Sequence, residues 1–277
     1  MLGRLWLARP EPEVPDRRCL SSAPVAERSG STVVPRCLVV QHVACEGPAA
    51  LAGALRRHQV ELDTCCVFAG DPLPRHLAGF DGLLVMGGPM SAASDPGFPT
   101  RAGELSLLEA AVHGGVPTLG VCLGAQLLSA ATGGRVLRGE AGPEIGWGRV
   151  RLTDEVAGDP LFAGLPPTLE VLHWHGDTFE LGAGSVLLAS SERYPAQAFR
   201  AGARAWGLQF HLEVDEEAAA AMVNAFPAEA QVAEGGGAAI VAGAGGARRR
   251  EDRGAVVLER FAALVAGCSR LAGGDVL

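Results

Sequence analysis

Apolar positions follow two different rhythms along this chain. From residue 37 to about 131, short unbroken apolar runs alternate with stretches in which apolar residues recur every three or four positions. Unbroken runs of that length read as strands buried on both faces, and the wider spacing reads as helices with one buried side. The pattern predicts strands over 37–43, 60–68, 82–86 and 116–121. It predicts helices over 48–58, where Pro48 suits a first turn, over 104–113, stopped by Gly114-Gly115, and over 125–131. From 135 to 211 the helical spacing disappears. Short strands are predicted over 135–138, 148–152, 169–173, 185–189 and 197–200, with Gly/Pro turns between them. Helical spacing returns over 215–226 and 255–266.

Strands alternating with helices imply an α/β fold: a mostly parallel open sheet with helices on both faces. The all-strand stretch adds a small antiparallel part. In such sheets ligands bind beyond the carboxyl ends of the strands. Gly87-Gly88 and Cys122 both fall at such ends. Residues 1–35 are rich in Pro, Arg, Glu and Ser without periodicity and read as a disordered leader. The foldable domain is 36–268. Within it, the Gly/Ala/Arg-rich stretch 227–253 reads as a flexible insertion, and 269–277 is a tail.

Composition narrows the class. The chain has 277 residues, 48% of them hydrophobic, enough for one sizeable core. The net charge of -8 argues against a nucleic-acid surface, and no apolar run approaches a membrane span. The seven cysteines are an odd number without paired spacing, which suits a cytoplasmic location better than a disulfide framework. Every basic residue of the Lys/Arg class is arginine.

The sharpest local feature is Gly120-Val121-Cys122-Leu123-Gly124-Ala125-Gln126. An apolar run, an abrupt turn and a helix start make the layout of a nucleophile elbow, with glycines on either side of the cysteine easing the turn. At a helix start the free N–H groups and the dipole favour thiolate, the attacking form. A cysteine between glycines after a strand fits buried filler equally well. A second segment separates these readings. Trp206-Gly207-Leu208-Gln209-Phe210-His211-Leu212-Glu213 alternates like a strand, which places His211 and Glu213 on one face. A thiol nucleophile needs a base, and the base needs a group that orients it. Backbone N–H groups of Leu123 and Gly88 are the expected oxyanion donors.

With these residues in place, the chain resembles class I, triad-type glutamine amidotransferases, from about residue 37 to about 226. Among them it is most similar to stand-alone members akin to the amidotransferase domain of GMP synthetase. The resemblance rests on Met86-Gly87-Gly88-Pro89, the elbow, His175-Gly176-Asp177 and Gln209-Phe210-His211-Leu212-Glu213, with Pro143-Glu144-Ile145-Gly146-Trp147 and His175-Gly176-Asp177-Thr178-Phe179 pointing to the nearer relatives. Many members carry Pro where Leu212 stands. The resemblance implies a flavodoxin-like amidotransferase fold and a Cys122-His211-Glu213 triad that opens a γ-glutamyl amide through a thioester. It also implies that Gln126 contacts the amino-acid end of the substrate.

Gly87 and Asp177 are further expected substrate contacts, although Asp177 equally suits a simple turn. Glu144 and Trp147 are expected at the pocket mouth. His173 and His175 lack an evident third ligand in sequence, so no metal is expected; no phosphate loop or dinucleotide fingerprint is present, so no cofactor is expected. Three uses of the site stay open: a glutaminase feeding a synthetase partner chain, a free-standing γ-glutamyl peptidase, and a non-catalytic regulatory relative.

Overall fold

The structure, a computed structural model, describes residues 34–245 and 253–272. The expected leader lies outside them except for its last two residues, as do 246–252 and 273–277.

The parallel half of the sheet contains β1 (Arg36–Gln41), β2 (Glu61–Cys66), β3 (Gly82–Val85), β4 (Thr118–Val121) and β11 (Ala205–Leu208). Its antiparallel half contains β6 (Glu144–Leu152), β7 (Thr168–His175), β9 (Val186–Ser190) and β10 (Ala198–Ala201). Among the described residues these nine strands form one sheet in the order β2-β1-β3-β4-β11-β10-β9-β6-β7. The expected antiparallel addition therefore largely continues the main sheet. Only β5 (Arg135–Arg138) and β8 (Asp177–Glu180) stand apart as a separate antiparallel pair.

Residue alternation along the parallel strands explains the two-sided core. On β1, Cys37 and Val39 face one side, where they meet Leu51 and Leu55 of α1 (Ala49–Arg57) and Val257, Phe261 and Val265 of α7 (Gly254–Ala272). Leu38 and Val40 face the other side, packing with Leu107 and Leu108 of α2 (Arg101–Gly114) and Leu127 and Leu128 of α3 (Leu123–Ala131). Both strand faces are covered, so these strands read as continuous apolar runs. The chain passes from β1 outward to β2 and then back across to β3. That reversal opens a crevice at the carboxyl ends of β1 and β3.

A third cluster covers the far end of the sheet. Asp215 caps α4 (Glu216–Ala225) by accepting from the Ala218 N–H at 3.0 Å. The next stretch departs from expectation. Where the Gly/Ala composition reads as a flexible insertion, residues 227–244 hold two helices, α5 (Pro227–Ala230) and α6 (Gly236–Ala244). Ala230, Ala233, Ile240 and Ala244 are buried against Leu172, Trp174 and Met222. The Trp147 indole donates to the Ile240 carbonyl at 2.9 Å. Small residues are required here because a Cβ on Gly243 would collide with that indole. Composition dominated by Gly and Ala thus reflects close packing. Helix α7 also runs past its expected end, to Ala272.

Ile240→Ala tests this packing. At 1% exposure, truncation should lower stability by about 2–4 kcal/mol in chemical denaturation, whereas a residue on a mobile loop would change it by less than about 0.5 kcal/mol.

Candidate active site

Strand β4 ends at Val121, and Cys122 turns the chain into α3 with φ +52° and ψ -104°. A positive φ in a residue with a side chain costs about 1–3 kcal/mol and persists only where the surroundings impose it. Here they do. Cys122 N–H donates to the Leu208 carbonyl at 2.7 Å, continuing the β4–β11 ladder, while its carbonyl accepts from Ala125 and Gln126 N–H, starting the helix. Glycines make the corner possible by allowing close approach. A Cβ on Gly124 would strike the Val85 carbonyl, and one on Gly120 would strike the backbone of Gly124 and Ala125. The side chain of Cys122 is buried, and its thiol faces the Trp174 carbonyl at 3.6 Å.

The histidine arrives on the neighbouring strand. Strands β4 and β11 are parallel with Val121 opposite Leu208, so the residues following each strand emerge side by side. Beyond Leu208 the chain leaves regular strand geometry. His211 is held instead by an isolated antiparallel bridge to Leu172, its N–H donating to the Leu172 carbonyl at 2.8 Å. His211 Nδ1 donates to Glu213 Oε1 at 2.7 Å, and the other carboxylate oxygen accepts from Leu212 N–H at 3.0 Å. Leu212 itself packs into the core.

His211 Nε2 is buried with no hydrogen-bond partner, yet the Cys122 side chain lies close enough to act on the ring. Burial disfavours the charged imidazole, but the Glu213 carboxylate and then the Cys122 sulfur outweigh it, holding the His211 pKa well above its ordinary 6.5. By contrast, burial pushes the Cys65 thiol up to about 11 and that of Cys37 higher still.

A cleft of about 280 Å³ opens over the elbow, lined among others by Gly88, Cys122, Leu123, Gln126, Trp174 and Asp177. Five of the residues singled out in sequence thus meet at one cavity, with His211 and Glu213 behind Cys122. Gly87 does not line it. Its carbonyl faces His42, and its Cα packs towards Glu46 and Cys122. Asp177 starts strand β8 and is not a turn residue; its carboxylate accepts from Ser91 Oγ at 3.3 Å. Gln126 Nε2 donates to Gln209 Oε1 at 3.2 Å, and Gln209 Nε2 donates to the Cys122 sulfur at 3.7 Å. Gln209 is a site residue that the strand pattern did not single out, because alternation marks it only as one more inward position.

Two expectations near the mouth are corrected. Trp147 lies under α6, and Glu144 meets both His173 and His175. Register sets this up, since Glu144 pairs with His175 across β6 and β7. A third potential metal ligand therefore does stand beside the two histidines, with ligand atoms within 4.8 Å of one another. Glu144 Oε2 already accepts from Ser191 Oγ (3.1 Å) and Gln197 Nε2 (2.6 Å), and it faces His175 Nε2 at 3.1 Å. His175 Nδ1 donates to the Asp177 carbonyl at 2.9 Å. Burial lowers the His173 pKa to about 4 against the pull of Glu144. Glu144, His175, Ser191 and Gln197 close as a hydrogen-bonded network that braces the wall of the cleft, and His173 lies beside it, 3.8 Å from Glu144.

Comparison with known proteins agrees with this geometry. The family model for glutamine amidotransferase class-I matches residues 50–228. The chain belongs to that family of glutamine-hydrolysing enzymes. It is 35% identical over 173 residues to the glutamine amidotransferase-like protein YfeJ of Salmonella typhimurium, covering 61% of this chain and 72% of that protein. It is 36% identical over 157 residues to a GMP synthase of Porphyromonas gingivalis, covering 56% of this chain but 29% of the synthase. The chain thus spans under a third of that relative's length. A glutamine amidotransferase structure from Thermotoga maritima superimposes with TM-score 0.74 at 29% identity, covering 84% of this chain and 98% of that one. Another, from Methylobacillus flagellatus, gives 0.69 at 30% identity, over 88% and 98%.

The electrostatics make a signed prediction. A raised folded-state pKa means that the stability contributed by the charged His211 is complete below its ordinary 6.5 and is lost as pH rises through the elevated folded value. Histidine-selective NMR should find one imidazole titrating well above 6.5. Glu213→Gln should move that titration down; a titration unmoved by the substitution would break the assignment.

Proposed function

We propose that this chain hydrolyses the γ-carboxamide of L-glutamine, or the γ-glutamyl bond of a related conjugate, with Cys122, His211 and Glu213 as nucleophile, proton carrier and orienting carboxylate. The reading is carried by one observation: the buried His211 ring is held between the Glu213 carboxylate and the Cys122 sulfur, with its Nε2 free of any other partner. An imidazole kept positively charged beside a sulfur keeps that sulfur as thiolate. Gln209 supports the same charge by donating to the sulfur.

In this mechanism the thiolate attacks the side-chain carbonyl carbon. The carbonyl oxygen becomes an oxyanion that accepts from two N–H groups. Leu123 begins α3, so its N–H has no acceptor within the helix. Gly88 lines the same cleft from the end of β3. Both donors are fixed before reaction, which is what makes such stabilisation effective. His211 delivers its Nε2 proton to the leaving nitrogen, and ammonia or an amine departs. Water then loses a proton to the neutral imidazole and attacks the γ-glutamyl thioester, which releases glutamate and restores the ion pair. Glu213 keeps the ring in one orientation throughout. Gln126 and Asp177 contact the amino-acid end of the substrate.

In the first use of the site the ammonia formed here passes to a synthetase partner chain, a reading favoured by the GMP synthases among the relatives, which are several times longer than the match. The second reading is a free-standing γ-glutamyl peptidase. It is favoured by the near-complete coverage of the T. maritima and M. flagellatus amidotransferase chains, which carry little beyond this fold.

A panel of γ-glutamyl compounds that includes glutamine separates these uses. Release of glutamate should be measurable, and Cys122→Ser should reduce it by about 10⁴-fold or more. Turnover of a conjugate in preference to glutamine, without any partner, identifies a peptidase; turnover that rises on adding a synthetase identifies a subunit. An electrophilic glutamine analogue should attach to Cys122 alone in peptide mapping. Labelling at Cys37 or Cys65 in its place defeats the proposal.

A further inference from the structure

Beneath the glycine pair that ends β3 lies a buried polar chain that the triad does not use. His42 follows β1 and is 3% exposed. Its Nδ1 donates to the Gly87 carbonyl at 3.1 Å, and its Nε2 faces Glu104 Oε2 at 2.8 Å. The other oxygen of Glu104 accepts from Thr100 Oγ1 at 2.6 Å. Both His42 and Glu104 have side chains with no exposure at all, and the edge of the His42 ring meets Phe98 at 5.6 Å between ring centres. Glu104 lies in the first turn of α2, where the helix N-terminus favours its charge.

A fully buried His–Glu pair is expensive, and an apolar pair of similar volume would serve packing as well or better. Its geometry has a specific consequence. The Gly87 carbonyl can only accept, so the 3.1 Å contact requires a hydrogen on Nδ1, and Nε2 is left to Glu104. The Gly87 carbonyl and the Gly88 N–H belong to one planar trans peptide and point in opposite directions. Anchoring the carbonyl towards His42, away from the cleft, turns the Gly88 N–H towards the side where Gly88 and Cys122 share the cavity. Accepting at the oxygen also polarises the N–H of the same peptide. Side chains at 87 and 88 would break this seat, since a Cβ on Gly88 would sit 2.7 Å from the Cβ of His42, and one on Gly87 would meet the Glu46 carboxylate.

We propose that His42, held by Glu104 and Thr100, is a positioning residue that fixes the Gly87–Gly88 peptide so that the Gly88 N–H meets the oxyanion. The proposal rests on the triad reading given above. It assigns a role to a histidine that never touches substrate, and it separates two reactions of Cys122. Attack on an amide builds an oxyanion and needs the Gly88 donor. Alkylation by iodoacetamide displaces iodide, builds no oxyanion and does not need it.

The test compares His42→Leu with His42→Asn, using the γ-glutamyl compound that the wild type turns over fastest. Asn carries a side-chain N–H at the place of Nδ1 and can still hold the Gly87 carbonyl; Leu cannot. His42→Leu should lower kcat by about 10–100-fold, less than or comparable to removing an oxyanion donor outright. KM and the rate of Cys122 alkylation should stay within about twofold of wild type, and His42→Asn should recover most of kcat. The proposal is overturned if His42→Leu keeps wild-type kcat, if alkylation falls in parallel with kcat, or if Asn is no better than Leu. A wild-type protein silent towards every γ-glutamyl compound is a different result, which removes the triad reading and this role with it.

Discussion

The pairing of β4 with β11 is the contact on which the rest of this protein depends. Two parallel strands far apart in sequence lie side by side with Val121 opposite Leu208. Their ends release Cys122 from one strand and the 209–213 segment from the other at the same level of the sheet. Neither group has useful chemistry alone. In the proposed reaction the thiol needs the imidazole to hold it as thiolate, and the buried imidazole's raised pKa depends on Glu213 and the sulfur. Shifting that register by one residue would turn His211 to the opposite face and dismantle the site.

Around this contact the fold stores a small amount of backbone strain and a large amount of packing. Cys122 sits at positive φ because the ladder bond to Leu208 grips it from one side and the first turn of α3 from the other. The corner exists because Gly120 and Gly124 let the helix lie against the end of the sheet. The surrounding walls are polar and braced. Glu144, His175 and Gln197 support one side, and His42, Glu104 and Thr100 support the other. A hydrolase that must place hydrogen-bond donors to within fractions of an ångström benefits from such second-layer support, since mobile donors stabilise a developing charge poorly.

The antiparallel half of the sheet has a role beyond size. It carries His211 through the bridge to Leu172 on β7, and the same strand supplies Trp174 and His175 to the cleft. Helices α4 to α6 then pack on Leu172 and Trp174, so the far end of the sheet has a buried cluster of its own. The Trp174 indole donates to Glu229 at 2.8 Å, linking the segment after α4 to the strand whose carbonyl faces the Cys122 thiol.

Local signals in the sequence determined much of this. Continuous apolar runs marked the strands buried on both sides, helical spacing marked α1 to α4, and the glycines around Cys122 marked the turn, since each follows from contacts within a few residues. The proposed triad could be read from the sequence because His211 and Glu213 lie two apart and the elbow has its own short pattern. Tertiary structure alone decided the rest. Residues 227–244 look like a linker by composition, yet their small side chains serve close helix packing against Trp147, which no local pattern reveals. Glu144 joins His173 and His175 only through the β6–β7 register, and His42 finds Glu104 only because β1 and α2 are folded together. Such partners are chosen by distance in space, and a chain read residue by residue carries no measure of that distance.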